Sequence, residues 1–175
     1  MPARLKEREG KSAVSHDAIV LLKEDHKTVR KLFRQFHASG SDKGDVVSRI
    51  IEELTVHTYI ENEVMYPRVR ELVPDLEQDI LQSFEEHHVA DVLCSELSAM
   101  DPGDERFVAK ATVLIENVDH HIDEEEGEWF PKVREALGRK ELQEIGEQLL
   151  QTKEKAPRKP SEPGALRKAV DAVIG

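Results

Sequence analysis

Cysteine is almost missing from this chain: Cys94 is the single one among 175 residues. An internal disulfide is excluded, as are tetrathiolate zinc and iron–sulfur sites, which need several thiolates. Basic residues are outnumbered, 25 Lys and Arg against 36 Asp and Glu, for a net charge of −11. That balance argues against non-specific nucleic-acid binding, which needs a basic surface. No uninterrupted apolar run approaches the length of a membrane span. The opening stretch MPARLKEREGKSAVS carries charge with no apolar segment behind it, unlike a secretory signal. Together these absences predict a chain of the reducing cytoplasm, with neither membrane nor nucleic acid as partner. Glycine and proline are scarce inside the periodic segments and gather between them.

What is present is a mixture of 38% apolar and 35% charged residues, which suits long amphipathic helices with solvated outer faces. The length fits one domain with a core of its own. Polar residues 1–14 are expected to be flexible, and Ser15 is a candidate cap for a first helix over 16–38. Its stripe is Ile19, Leu22, His26, Val29, Phe33 and Phe36, with the alternating three- and four-residue steps of one buried helical face. A second helix is predicted over 45–72, with Ile50, Leu54, His57, Glu61 and Val64 along its seam. Pro67 lies inside that pattern and is expected to kink it. A third covers 75–99 (Ile80, Phe84, His87, Ala90 or Asp91, Cys94). A fourth covers 105–137 (Phe107, Ala111, Leu114, Val118, His121, Glu125), with a second kink expected at Pro131 and a stop at Gly138. A fifth stretch, 139–154, carries Leu142, Ile145 and Leu149. The domain is therefore read as 15–155. Residues 156–175 are expected to form a proline-rich linker followed by a short amphipathic helix from Gly164 onward.

Within these stripes, four histidines occupy positions that leucine or valine would normally fill. His57 and His121 each have a glutamate four residues on, and a proline follows each glutamate at the same distance: HTYIENEVMYP and HIDEEEGEWFP. The chain thus repeats itself, each half being a helix with a lone seam histidine and then a helix with His-x-x-x-Glu. Short loops between four helices predict an all-α, up-down-up-down antiparallel four-helix bundle with an extra C-terminal helical segment. Residues four apart share a helix face. His57 with Glu61, and His121 with Glu125, should enter the interior together, while His26 and His87 arrive from the other two helices. Six buried polar groups need partners, and two mirrored halves suggest two metal ions. Each ion would take two histidines, and the glutamates would bridge. Two divalent ions, two carboxylates and a bridging hydroxide leave one residual positive charge, which a low-dielectric core tolerates far better than bare dications. Nitrogen and carboxylate donors admit iron, manganese or zinc, and open positions for small molecules put iron first.

The order His, His-x-x-x-Glu, His, His-x-x-x-Glu, with LLKEDHKTVRKLF at the start and HHIDEEEGEWFPKV in the fourth helix, resembles the hemerythrin-like (HHE cation-binding) domain over about residues 16–150. The resemblance implies an oxo- or hydroxo-bridged non-heme di-iron centre held by His26, His57, Glu61, His87, His121 and Glu125. It also implies dioxygen, nitric oxide or peroxide as the small partner. Oxygen-carrying hemerythrins place a second histidine four residues after the third-helix ligand, where this chain has Asp91. That aspartate either ligates metal or hydrogen-bonds a ligating histidine. It moves weight from oxygen transport toward sensing, iron handling or peroxide chemistry.

Other readings stand beside these. His88 and His120 adjoin the candidate ligands and are the alternates if the register is off by one; Glu126 is the fallback for Glu125. His16 and His37 belong to helix ends, Glu24 and Glu63 to solvent. Cys94 reads as a small hydrophobe. Tyr66, Trp129 and Phe130 read as core plugs that limit water access, with electron donation a secondary role. The competing functions are a di-iron module that reversibly binds or senses a gas and a di-iron oxidoreductase that consumes peroxide or nitric oxide. Iron homeostasis and a metal-free structural bundle complete the set. A monomer or a homodimer fits each.

Overall fold

The computed structural model describes residues 16–160. The expectations for residues 1–14, for Ser15 as a cap and for the helix from Gly164 onward lie outside them. Every element among the described residues is helical: α1 (Ala18–Ala38), α2 (Lys43–Ile60), α3 (Tyr66–Leu72), α4 (Glu77–Ala99), α5 (Phe107–Glu124), α6 (Phe130–Ala136) and α7 (Arg139–Lys155). Two five-residue π-helical turns, Glu61–Met65 and Glu125–Trp129, join α2 to α3 and α5 to α6 without a break, and a 3-10 turn, Pro74–Leu76, leads into α4.

The ends follow local chemistry. Asp17 caps α1, its Oδ1 accepting from the Val20 N–H at 3.1 Å, an arrangement worth about 1 kcal/mol. Gly138, the expected stop of the fourth helix, follows Leu137, the C-cap of α6, and is at the same time the N-cap of α7. The kinks expected at Pro67 and Pro131 take a specific form. A proline cannot donate to the carbonyl four residues back, and its ring crowds that carbonyl. A π turn placed just before it widens the helix and supplies i→i+5 bonds, here Tyr66 N–H to Glu61 O and Phe130 N–H to Glu125 O.

The helices pack α1 on α2, α2 on α4, α4 on α5 and α5 on α1, and α7 lies across α1, α2 and the first π turn. At Gly146 of α7 the backbones come so close that a Cβ would sit 1.5 Å from the His16 carbonyl oxygen. Two apolar clusters result. One holds Leu22, Ile60, Met65, Phe84, Trp129 and Ile145; the other holds Val29, Leu54, Phe33, Ala90, Val118 and Ile122. Between them lies a polar layer. On α1 the order is Leu22, His26, Val29; on α2 it is Leu54, His57, Ile60; on α4 it is Phe84, His87, Ala90.

Candidate metal centre

Six of the seven residues singled out from the sequence meet in that layer. His26, His57, Glu61 and Glu125 form one group and Glu61, His87, His121 and Glu125 a second, with the ligand atoms of each within 4.8 Å of one another. Both glutamates belong to both groups and both are 0% exposed. His57 Nε2 and His87 Nε2 lie 3.3 and 3.2 Å from Glu61 Oε2. His26 Nε2 lies 3.1 Å from Glu125 Oε2, and His121 Nε2 3.2 Å from Glu125 Oε1. Asp91, the seventh, is buried on α4 one turn beyond His87 but belongs to neither group. Burial first, and then the Asp91 charge, push the Cys94 thiol up and out of the reactive range. His88 and His120 contribute to neither group; His120 pairs with Glu124 at the surface.

Each histidine is held from outside by its second nitrogen. His57 Nδ1 donates to Asp25 (3.3 Å), His87 Nδ1 to Asn62 (2.8 Å), His121 Nδ1 to Glu86, and His26 Nδ1 to Glu126 (2.7 Å). These bonds run around the bundle in one direction, from α2 to α1, α4 to the α2 segment, α5 to α4 and α1 to the α5 segment. Each acceptor adjoins a candidate ligand in sequence: Asp25 precedes His26, Asn62 follows Glu61, Glu86 precedes His87 and Glu126 follows Glu125. One position along a helix is a rotation of about 100°. While one residue faces the centre, its neighbour therefore faces the adjoining helix. The sequence reading treated Glu126 as a fallback ligand and passed over Asp25, Asn62 and Glu86; their adjacency to the ligand positions is the signal that was there.

With Nδ1–H directed outward, all four Nε2 atoms turn toward the middle. His26 and His57 bring theirs to 3.2 Å of each other, His87 and His121 to 3.0 Å. Ring nitrogens so close need protons or a cation between their lone pairs. Glu61 Oε1 and Glu125 Oε2 are buried and accept no hydrogen bond. Imidazole and carboxylate donors with buried, unsatisfied oxygens fit divalent or trivalent metal ions.

Without metal, protons do that work. Burial opposes charge on His57, but Glu61 and Asp25 outweigh it and push its pKa up to about 10. Burial likewise opposes charge on His121, and Glu125 and Glu86 drive its pKa well up. Burial and the Glu125 charge would raise Glu61, yet His57 and His87 bring it down to about 2. Glu125, against its own burial, is held low by His121 and His26. His87 goes the other way. Burial, reinforced by the His121 charge, keeps it below the ordinary histidine range. Its outer acceptor is the neutral amide of Asn62.

Tyr66 departs from its sequence reading as a plug. Its ring does fill the core, at 0% exposure, but its hydroxyl enters the layer. It donates to Glu125 Oε1 at 2.7 Å, and its oxygen lies 3.0 Å from His87 Nε2, 3.3 Å from His121 Nε2 and 3.2 Å from Glu61 Oε2. In a regular α-helix a residue five beyond Glu61 would point some 140° away. The π turn brings it back.

The profile of the hemerythrin HHE cation-binding domain family matches residues 17–133. The chain belongs to this family. Among curated proteins, this HHE domain is 26% identical over 126 residues to a DNA nickase of Nostoc sp. (strain PCC 7120 / SAG 25.82 / UTEX 2576). The alignment takes in 71% of the chain and 35% of the nickase, so the HHE chain spans about a third of that relative. No solved structure matches it significantly. Among its described residues, no helix is long and apolar enough to cross a membrane.

Proposed function

We propose that this protein holds two iron ions, bridged by Glu61 and Glu125, and uses them to bind or sense a small redox-active molecule such as dioxygen, nitric oxide or peroxide. His26 and His57 would complete one ion's set, and His87 and His121 the other's. The sharing of two fully buried glutamates between two groups of inward-facing imidazoles carries this reading. We infer for the scaffold an up-down-up-down antiparallel four-helix bundle with α7 laid across it. With a lone buried cysteine, it suits the cytoplasm.

Bound iron supplies affinity for diatomic molecules and one-electron chemistry. The chain does the rest. Outer acceptors fix each histidine's tautomer and aim. The two apolar clusters keep bulk water out. On the histidine side lies a cavity lined by all four imidazoles with Val29, Leu54, Ala90, Val118 and Ile122. The space open to the centre of a water-sized molecule is about 20 Å³, enough for roughly one such molecule and too little for an organic substrate.

An oxidoreductase consuming peroxide or nitric oxide is the second reading, supported by Asp91 standing where oxygen carriers have histidine. Nicking of DNA, the activity in the Nostoc relative's name, finds no support in a chain of net charge −11. The test is anaerobic loading with ferrous ion, metal analysis, then exposure to oxygen, nitric oxide and peroxide with absorption spectra. Two irons per chain and a reversible spectral change are expected. Many equivalents consumed per site would favour the enzyme, and absence of stoichiometric iron would refute the assignment.

A further inference from the structure

One position breaks the internal repeat. When HTYIENEVMYP and HIDEEEGEWFP are aligned on histidine and glutamate, Tyr66 falls opposite Phe130. Equivalent π turns bring both rings inward, each N–H bonding to the glutamate carbonyl five residues back. Phe130 lies parallel to His26, 5.9 Å between centroids, and offers no donor atom. Tyr66 offers an oxygen within 3.0–3.3 Å of both Nε2 atoms of the second group and of Glu61. The outer ring of hydrogen bonds differs at the same place, since His87 alone leans on an amide where the other three histidines lean on carboxylates. One side of the layer thus has an extra oxygen donor and a less anionic surround.

Resting on the two-iron reading, we propose that Tyr66 Oη is a direct ligand of the ion held by His87 and His121. The two ions are then unequal. One has two imidazoles, two bridging carboxylates and a phenolate; the other, beside Phe130, has two imidazoles and the bridges. The less ligated ion, held by His26 and His57, receives the small molecule. Coordination replaces the Tyr66 O–H bond with an O–metal bond. The proton is released to the medium, and no electron is transferred in the step.

The chain has two tyrosines, Tyr59 and Tyr66, which makes the test direct. Protein loaded with ferrous ion without air and then oxidised in air is examined by metal analysis, visible absorption and resonance Raman. A phenolate-to-ferric charge-transfer band with tyrosine ring vibrations is expected. It should persist in Tyr59→Phe and vanish in Tyr66→Phe, with both irons retained. Phe130→Tyr should add a second such band. Equal spectra for Tyr66→Phe and the unsubstituted protein, both carrying two irons, would overturn the ligand assignment alone. Should Tyr66→Phe lose iron or fail to fold, the unsubstituted protein decides, because oxidised protein without tyrosine vibrations also overturns it. If the unsubstituted protein takes up no iron, the two-iron reading falls with it.

Discussion

The two halves of the polar layer are built on the same plan and differ in their surroundings. On the first side, His26 stacks on Phe130, and His26 and His57 are backed by two carboxylates, Glu126 and Asp25. Asp25 is in turn gripped by Lys153 of α7 at 2.6 Å. On the second side, His87 and His121 meet the Tyr66 hydroxyl and are backed by Asn62 and Glu86. Repetition of a helix-and-histidine unit sets up a symmetric pair of side-chain groups. Differences at the neighbouring positions, together with the one-sided placement of α7, make the pair unequal. Against burial, the equivalent histidines His57 and His121 are both driven up by their carboxylates, whereas His87, backed by an amide, is held below its ordinary value by burial and the His121 charge.

The largest effect should come from removing what the halves share. Glu61→Ala or Glu125→Ala touches both groups and should abolish stoichiometric iron altogether. His57→Ala or His121→Ala should also lose it, with helix content by circular dichroism largely intact. Should Glu61→Ala keep both irons by metal analysis, the glutamates would not be bridges.

Next in size is Gly146→Ala. A methyl driven against the His16 carbonyl must lift α7 or the start of α1. Overpacking of this kind costs about 1–3 kcal/mol, read as a lower urea midpoint. The displacement should loosen the Lys153–Asp25–His57 chain and so weaken the first half before the second. Equal weakening of the two halves would contradict that order.

The pH dependence of the metal-free protein sharpens the contrast further. His57 has a folded pKa of about 10 against 6.5. Its contribution to stability is complete below about 6.5 and is lost as pH rises through 10. Glu61 has a folded pKa of about 2 against 4.5. Its contribution is complete above about 4.5 and is lost as pH falls through 2. Urea unfolding of the metal-free protein should therefore be hardest between pH 4.5 and 6.5. Metal must displace the His57 proton, so apparent iron affinity should climb with pH over the alkaline limb. A flat stability profile from pH 6.5 to 10 would speak against a protonated His57.

The smallest change is Asn62→Asp, which would give His87 the carboxylate backing of its three counterparts. Its pKa should rise, visible as a shifted imidazole titration by NMR, with little change in fold. No movement would mean that Asn62 does not govern His87.

Much of this was legible in the sequence because it depends on period alone. Apolar residues at three- and four-residue spacing marked the helices, and histidines and glutamates falling in the same stripes marked the layer. His87 over His88 followed from keeping step with its stripe, and His121 over His120 from the alignment of HTYIE with HIDEE. Asp91 keeps step too, and yet it lies outside both groups, since the other donors gather one turn nearer the first cluster. Tyr66 failed the periodic test for the opposite reason. It is out of step in a regular α-helix, and only the π turn ahead of Pro67 returns it to the interior. Asp25, Asn62, Glu86 and Glu126 are polar residues on half-exposed faces, which in sequence look like ordinary solvated surface.

Taken alone, the order of residues determined that the chain is helical, that each of four helices carries one inward imidazole, and that two of them add a glutamate. Those features follow from helix geometry, which is local. Which acceptor faces which histidine, which aromatic ring carries an oxygen into the layer, and which half α7 supports were decided by tertiary packing. Those relations join residues 25 to more than 100 positions apart, and their distances exist only once the helices have met.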